Sequence, residues 1–376
     1  DYQLGALLAE GDGFQDWAAQ HVSIDTIQRR VRIYTVAGAS SPEARAARTR
    51  QARREFEVLE GIEHPGILKA KDYKDTELGP ALLFEHDPDA VRLDHLVRDH
   101  RARLTLTQRL QLVRDLAETL QYAHGKRLVH RALGPQSVLV HGVPGAEGGA
   151  LTLRLTNWQT ASRNASSGAD AGAPDTLHHT TGTRHVEDYV EDPGLVYLAP
   201  ETTRGDPAHG PSLDVFSLGC IAYLVFSGQP PAESVLALDE KLRIGQGLRL
   251  SDVMDGCTAK LQELIQYATC PDVFARYDTV QGFLDDLDQV EDALTTPDPE
   301  ATIDPSSAST GDRLEGGFSV VKRLGRGSSS DALLVRRDGS DEDLVLKVAL
   351  DVAHNERLVA EGEVLARLHH QHIVAH

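Results

Sequence analysis

Few residues in this chain are arranged for chemistry, and their placement is informative. His178 and His179 are adjacent, with no carboxylate or cysteine at metal-ligand spacing, so no metal role is expected. Cys220, Cys257 and Cys270 lack such spacing too, and an odd count gives no disulfide framework. Cys220 lies in an apolar helical run and reads as a small core residue. The run Leu128-Val129-His130-Arg131-Ala132-Leu133-Gly134-Pro135-Gln136-Ser137-Val138-Leu139-Val140 follows an amphipathic helical stretch (Leu110 to His124) and precedes a strand-like one (Leu151 to Thr156). Within it the methyl of Ala132 cannot accept a proton, and Gly134 offers no charge. Glycines cluster at Gly11 and Gly13 and again at Gly325 and Gly327, with Ser330 close behind. Alone, a loose glycine cluster is a hairpin turn, and Lys347 in the run Leu344 to Val348 is a solvent-facing strand lysine.

Together these runs resemble the motifs of the eukaryotic-like Ser/Thr protein kinases. Leu128 to Val140 is similar to the catalytic loop H-R-D-L-K-P-x-N. The resemblance puts Ala132 at the catalytic base, Gly134 at the phosphate-steadying lysine and Ser137 at the metal-binding asparagine. Asn157-Trp158-Gln159 stands where D-F-G would, which removes an anionic ligand that Mg²⁺ favours. Arg30 to Val36 reads as a strand and matches the V-A-x-K strand, with Arg32 at the alanine and Tyr34 at the lysine. Glu55, on a helix expected from Pro42 to Gly61, matches the helix-C glutamate, and His64 to Ile67 its exit turn. No lysine precedes Lys69, so none can substitute from the early strands. Alternation puts residues 32 and 34 on one face. An arginine and a tyrosine there should crowd the cleft, unless Arg32 swings to solvent.

The framework motifs are kept. Ala199-Pro200-Glu201 matches A-P-E, Asp214 to Gly219 matches the D-V-x-S-L-G helix, and Arg276 falls at the partner of the A-P-E glutamate. The resemblance implies a buried Glu201–Arg276 pair and an Asp214 that accepts from the catalytic-loop backbone. Trp158 is expected to stack with His130, Leu59 and a residue of the fourth strand. The implied domain, residues 1–294, is an α+β protein-kinase-like bilobal fold with a β-rich small lobe and a helical large lobe. It has lost phosphoryl transfer, a pseudokinase, and is expected to hold neither ATP nor metal. Ala161 to Pro193, in the activation-loop position, is polar and expected to be mobile; Thr180 there and Thr302 further on are candidate phosphorylation sites.

The pattern then repeats. Residues 295–316, rich in Pro, Ser, Thr and acids, read as an extended tether. Residues 317–376 resemble the first part of a second kinase domain. Gly325, Gly327 and Ser330 match the glycine-rich loop, Lys347 the strand lysine, Glu361 the helix-C glutamate and His370 to Ile373 the exit turn. The resemblance implies that these residues bind ATP, with Mg²⁺ held by residues beyond His376.

At 376 residues, 40% hydrophobic and 25% charged, the composition is that of a globular chain long enough for two domains. A formal charge of −19 argues against a general nucleic-acid binder. No apolar run suggests a membrane span or signal peptide, and a cytoplasmic location is expected. The chain begins at Asp1, so a portion upstream is expected. The bias to Arg over Lys and the abundant Ala fit a GC-rich bacterial genome. A pseudokinase followed by an active kinase also resembles the kinase component of bacterial phage-growth-limitation (BREX-type) defence systems. The expected partners are the chain's own downstream kinase domain and protein substrates or defence-system proteins. Two other readings stand beside this one: a nucleotide-binding or active kinase using unusual residues, and an independent protein-binding scaffold.

Overall fold

The computed structural model describes residues 2–11, 13–35, 42–145, 149–163, 190, 192–204, 210–254, 256–295, 305, 308, 310–327, 330–337, 343–350 and 352–368. His178, His179, Thr180, Thr302, most of the activation-loop stretch and the exit turn His370 to Ile373 lie outside the described residues. The chain divides into two compact units, residues 1–294 and 295–376.

The first unit opens with an antiparallel sheet built from β1 (Tyr2–Gly11), β2 (Phe14–His21), β3 (Ile24–Ile33), β4 (Ala70–Thr76) and β5 (Gly79–Glu85), in the order β1-β2-β3-β5-β4. Helix α1 (Pro42–Val58) lies between β3 and β4 in the chain. On β3 the side chains alternate as a pleated strand requires. Val31 and Ile33 pack with Ala19, Ala81 and Leu83 on one face, while Arg30, Arg32 and Tyr34 point the other way, where Tyr34 joins Phe14, Ala52 and Phe84. The strand stops at Ile33, short of the expected Val36; the Tyr34 N–H still donates to Pro80 O at 2.9 Å. Buried Ala52, Glu55 and Val58 recur every three residues on α1, giving it one inward face.

The rest of the unit is largely helical. It comprises β6 (Val91–Arg92), α2 (Leu93–His100), α3 (Leu106–Gly125), β7 (Leu128–Val129), β8 (Val138–His141), β9 (Thr152–Leu155), β10 (Ser162–Arg163), α4 (Pro200–Arg204), α5 (Pro211–Ser227), α6 (Val235–Gly245), α7 (Ala259–Ala268) and α8 (Val280–Thr295). Thr105 and Gln108 form a reciprocal capping box that starts α3. Helix α5 is buried along nearly its whole length, which is why its sequence is apolar without amphipathic spacing. It ends at Gly228, whose φ of 70° suits a residue without a Cβ. One core runs from Leu59, Ile62 and Ile67 through α3 and α5 to Phe283 and Leu287 of α8.

The second unit is a four-stranded antiparallel sheet in the order β11 (Arg313–Leu314), β12 (Phe318–Arg326), β13 (Ser330–Arg337), β14 (Asp343–Ala349), followed by α9 (Val352–Leu365). Strand β11 corrects the expectation that residues 295–316 are wholly an extended tether. Ala308 and Leu314 are buried with Val320, Leu333 and Val335. Gly311 N–H donates to Val320 O, Val320 N–H donates to Asp312 O, and Arg323 donates to Ala308 O. Two buried apolar side chains and a short ladder give this end of the stretch a reason to fold that its Pro/Ser/Thr-rich composition conceals. Among the described residues, no helix is long and apolar enough to cross a membrane.

Candidate functional site

Arg32 does not swing to solvent. Its guanidinium is buried at the centre of a polar cluster and uses all three nitrogens. Nε and Nη2 donate to the two oxygens of Asp16 at 2.7 and 2.9 Å. Nη1 donates to Glu55 Oε1 at 2.7 Å and to Gln159 Oε1 at 3.1 Å. Nη2 also reaches Asn157 Oδ1 at 2.5 Å. The Tyr34 hydroxyl donates to the other oxygen of Glu55, and Arg30 donates to Asp16 at 2.9 and 2.5 Å. The Phe14 ring covers the Arg32 guanidinium at 4.5 Å, with Phe84 at 5.8 Å. Glu55 is therefore not left without a cation by the loss of the strand lysine. Arg32, two residues earlier on the same face, supplies the charge, and Tyr34 supplies a second hydrogen bond.

The electrostatics follow from this packing. Burial opposes the charge on Asp16, but Arg30 and Arg32 overcome it and hold its pKa at about 2. Burial dominates at Glu55 and raises its pKa, because Glu55 shares one arginine and feels the charge of Asp16 as well. Burial and then Glu55 push the Tyr34 phenol well above its ordinary range, so it acts as a neutral donor. Arg32 stays charged despite burial because Asp16 and Glu55 flank it. Beyond this cluster Arg48 of α1 lies against the glycine turn: a Cβ on Gly13, whose φ is 75°, would meet its guanidinium at 1.9 Å.

The catalytic-loop positions are equally closed. Ala132 packs in an apolar nook with Leu198, beside Val190 and Leu195. A Cβ on Gly134 would come within 2.8 Å of Gln136 Oε1, so the Gln136 amide takes up room next to this residue. Ser137 Oγ accepts from Asn157 Nδ2 at 3.3 Å. The two positions that match metal ligands thus bind each other, and Asn157 binds Arg32. No three His, Cys, Asp or Glu residues that could hold a metal ion gather among the described residues.

The framework residues meet as their motifs imply. Asp214 accepts the backbone N–H groups of His130 and Arg131 and pairs with His124 Nε2, all at 2.8 Å. His130 packs against Trp158 with centroids 4.5 Å apart and the rings tilted by 54°, and donates through Nε2 to Thr156 O at 2.9 Å. Burial lowers the His130 pKa and keeps the ring neutral. Trp158 Nε1 donates to Leu155 O, and Leu59 lies in the same core. Arg276 clasps Glu201 at 2.7 and 3.2 Å, with further bonds to Cys270 O and Ser212 O.

In the second unit Lys347 on β14 meets Glu361 on α9 at 2.5 Å, with both side chains nearly half exposed. Gly325 lies at the end of β12 and Gly327 just beyond it, and Gly327 N–H donates to Ser330 O at 2.8 Å.

Sequence reasoning missed Asp16 and Gln159, which hold Arg32 from two other elements. An acid facing an arginine across a hairpin is the usable signal. Register obscured it here: counting back from the pair His21–Ile24 sets Asp16 opposite Arg29, but an irregularity at Gln20 shifts the true partner to Arg32. A cavity of about 490 Å³ remains along Glu85, His86, Asp87 and Pro88, bounded by Leu8, Ala18 and Leu139.

A family model described as a protein kinase domain matches residues 26–284. The chain is 36% identical to the probable kinase PglW of Streptomyces coelicolor, over 95% of this chain and 24% of that protein. It is 24% identical to the serine/threonine-protein kinase PknB of Mycobacterium tuberculosis, over 82% of this chain and 46% of that one. It is 25% identical to the putative CBL-interacting protein kinase 27 of Oryza sativa, over 65% and 54%. The chain spans less than a quarter of the first relative's length and about half of the other two.

Proposed function

The chain belongs to the protein kinase family, and from that premise we propose that its first unit is a pseudokinase that docks on or regulates the ATP-using kinase domain its second unit begins. The observation that carries the reading is the seat of Arg32. A charged side chain fills the cleft end of β3, bound to Asp16, Glu55, Asn157 and Gln159. Nucleotide phosphates and their Mg²⁺ need a lysine with a face open to them and free carboxylate oxygens. Here the carboxylates are neutralised, the lysine position is a buried tyrosine, and the base position is Ala132. ATP does not fit these residues. It does fit the residues of the second unit, where Lys347 and Glu361 are paired and Gly325 and Gly327 stand at the β12 end; these would hold its phosphates.

The test is a thermal-shift measurement on the 376-residue chain. Any rise in melting temperature with Mg²⁺-ATP is expected to vanish in the Lys347→Ala variant. A shift that survives this substitution would place nucleotide in the first unit and overturn the silent reading. The 490 Å³ cavity along residues 85–88 favours a second reading, a unit that binds a nucleobase without its phosphates; adenosine without Mg²⁺ would then raise the melting temperature. The resemblance to phage-growth-limitation kinases carries the wider proposal that the parent protein acts against phage inside the cell. Deleting residues 1–294 from the parent should change its kinase activity and its protection; unchanged values for both would favour the independent scaffold.

A further inference from the structure

We infer that Arg32 is an internal bolt, which holds α1 inward and the two lobes of the first unit closed with no ligand in the cleft. The division of its bonds supports this. The two acids on Arg32, Asp16 of β2 and Glu55 of α1, belong to the small lobe. The two uncharged acceptors, Asn157 and Gln159, follow β9 and belong to the large lobe. The charge of Arg32 is thus compensated within the small lobe, and only the amide legs cross to the other. Asn157 carries one leg onward to Ser137. A guanidinium suits this work because its rigid fork serves several acceptors at fixed angles; an ammonium is a point charge on a flexible stem.

This goes beyond the regulatory reading and does not need it, since the bolt concerns only the unit's own shape. A closed arrangement that needs no ligand implies a surface that stays constant as nucleotide levels change. Removing Arg32 outright would bury Glu55 without a cation, leave Asp16 with Arg30 alone and could unfold the unit, so the test cuts the legs instead. The variant Asn157→Gly/Gln159→Met keeps both ion pairs, and glycine accepts the left-handed backbone of residue 157, whose φ is 64°. Amide hydrogen exchange would be followed on the 376-residue chain without nucleotide. The expected result is exchange at least about tenfold faster across 42–58, with α5 unchanged. Unchanged protection of α1 in a folded variant would overturn the bolt. A second variant, Arg32→Lys, keeps the charge and loses the fork, and should loosen α1 in the same way. In that background the Asn157→Gly/Gln159→Met changes should add almost nothing. Full additivity would mean that the legs act independently of Arg32, and the inference would fail.

Discussion

The two units set a helix glutamate against the sheet in different ways. In the first, β2 and β3 pair Asp16 with Arg32, and the Arg32 and Glu55 side chains are each 1% exposed. In the second, β13 and β14 pair Leu334 with Val345, Ala332 stands opposite Lys347, and Lys347 and Glu361 are 44% and 46% exposed. Part of the contrast is position: β3 is flanked by β5, whereas β14 is the edge of its described sheet. The rest is chemistry. The second unit sets one lysine opposite Ala332 and pairs it with a half-exposed glutamate, so that part of the lysine still faces outward. In the first, Asp16, Arg32 and Glu55 take up one another's charges. Keeping the glutamate therefore says little about keeping the activity; what matters is whether its cation has a free face.

Removing the cation should separate the units most sharply. Arg32→Met leaves Glu55 in the core without a cation and Asp16 with Arg30 alone, and should cost about 3–5 kcal/mol, read by urea unfolding. A cost below about 1 kcal/mol would mean that water reaches the cluster. Recasting the first unit on the second, as Asp16→Leu/Arg30→Leu/Arg32→Val/Tyr34→Lys, replaces Asp16 together with both of its arginines and gives Glu55 a lysine. It should be less destabilising than Arg32→Met by about 2 kcal/mol, because an apolar replacement leaves fewer uncompensated charges.

Acid should also distinguish them. Asp16 falls from 3.8 to about 2 in the fold. Its contribution is thus fully present above pH 3.8 and is lost as pH falls toward 2, about 2 kcal/mol in all. Glu55, raised by burial, acts with the opposite sign and offsets part of this. Urea unfolding at pH 4.5 and 2.5 would read the net slope, and a first-unit transition with no acid limb would contradict the role given to the arginines. The smallest effect belongs to the second unit. Lys347→Met breaks a half-exposed pair and should change stability by less than about 1 kcal/mol, while abolishing the ATP-dependent shift.

Much of the framework could be read from the chain. Glu201 with Arg276, Asp214 beneath the catalytic loop and Trp158 on His130 are each carried by a contiguous motif whose residue types admit few other uses. The centre of the first unit could not be read in the same way. Its partners come from β2, β3, α1 and the turn after β9, and no local spacing joins them. The irregular pairing at Gln20 moves Asp16 three places along β3. The alternation that set Arg32 beside Tyr34 was visible, and it led to crowding as the expectation; that the crowded groups would satisfy one another required the acid across the hairpin.

Strand β11 bears on where the chain can be cut. The second unit, cut at Gly316, the end of the stretch that reads as tether, would leave Ala308 and Leu314 behind. Val320, Leu333 and Val335 would lose that cover, and a bared patch of aliphatic surface on a sheet invites self-association. Such a fragment would be recovered as aggregate, and its silence in an assay would be mistaken for dependence on the first unit. A start upstream of Pro305 keeps the strap and lets the two causes be told apart.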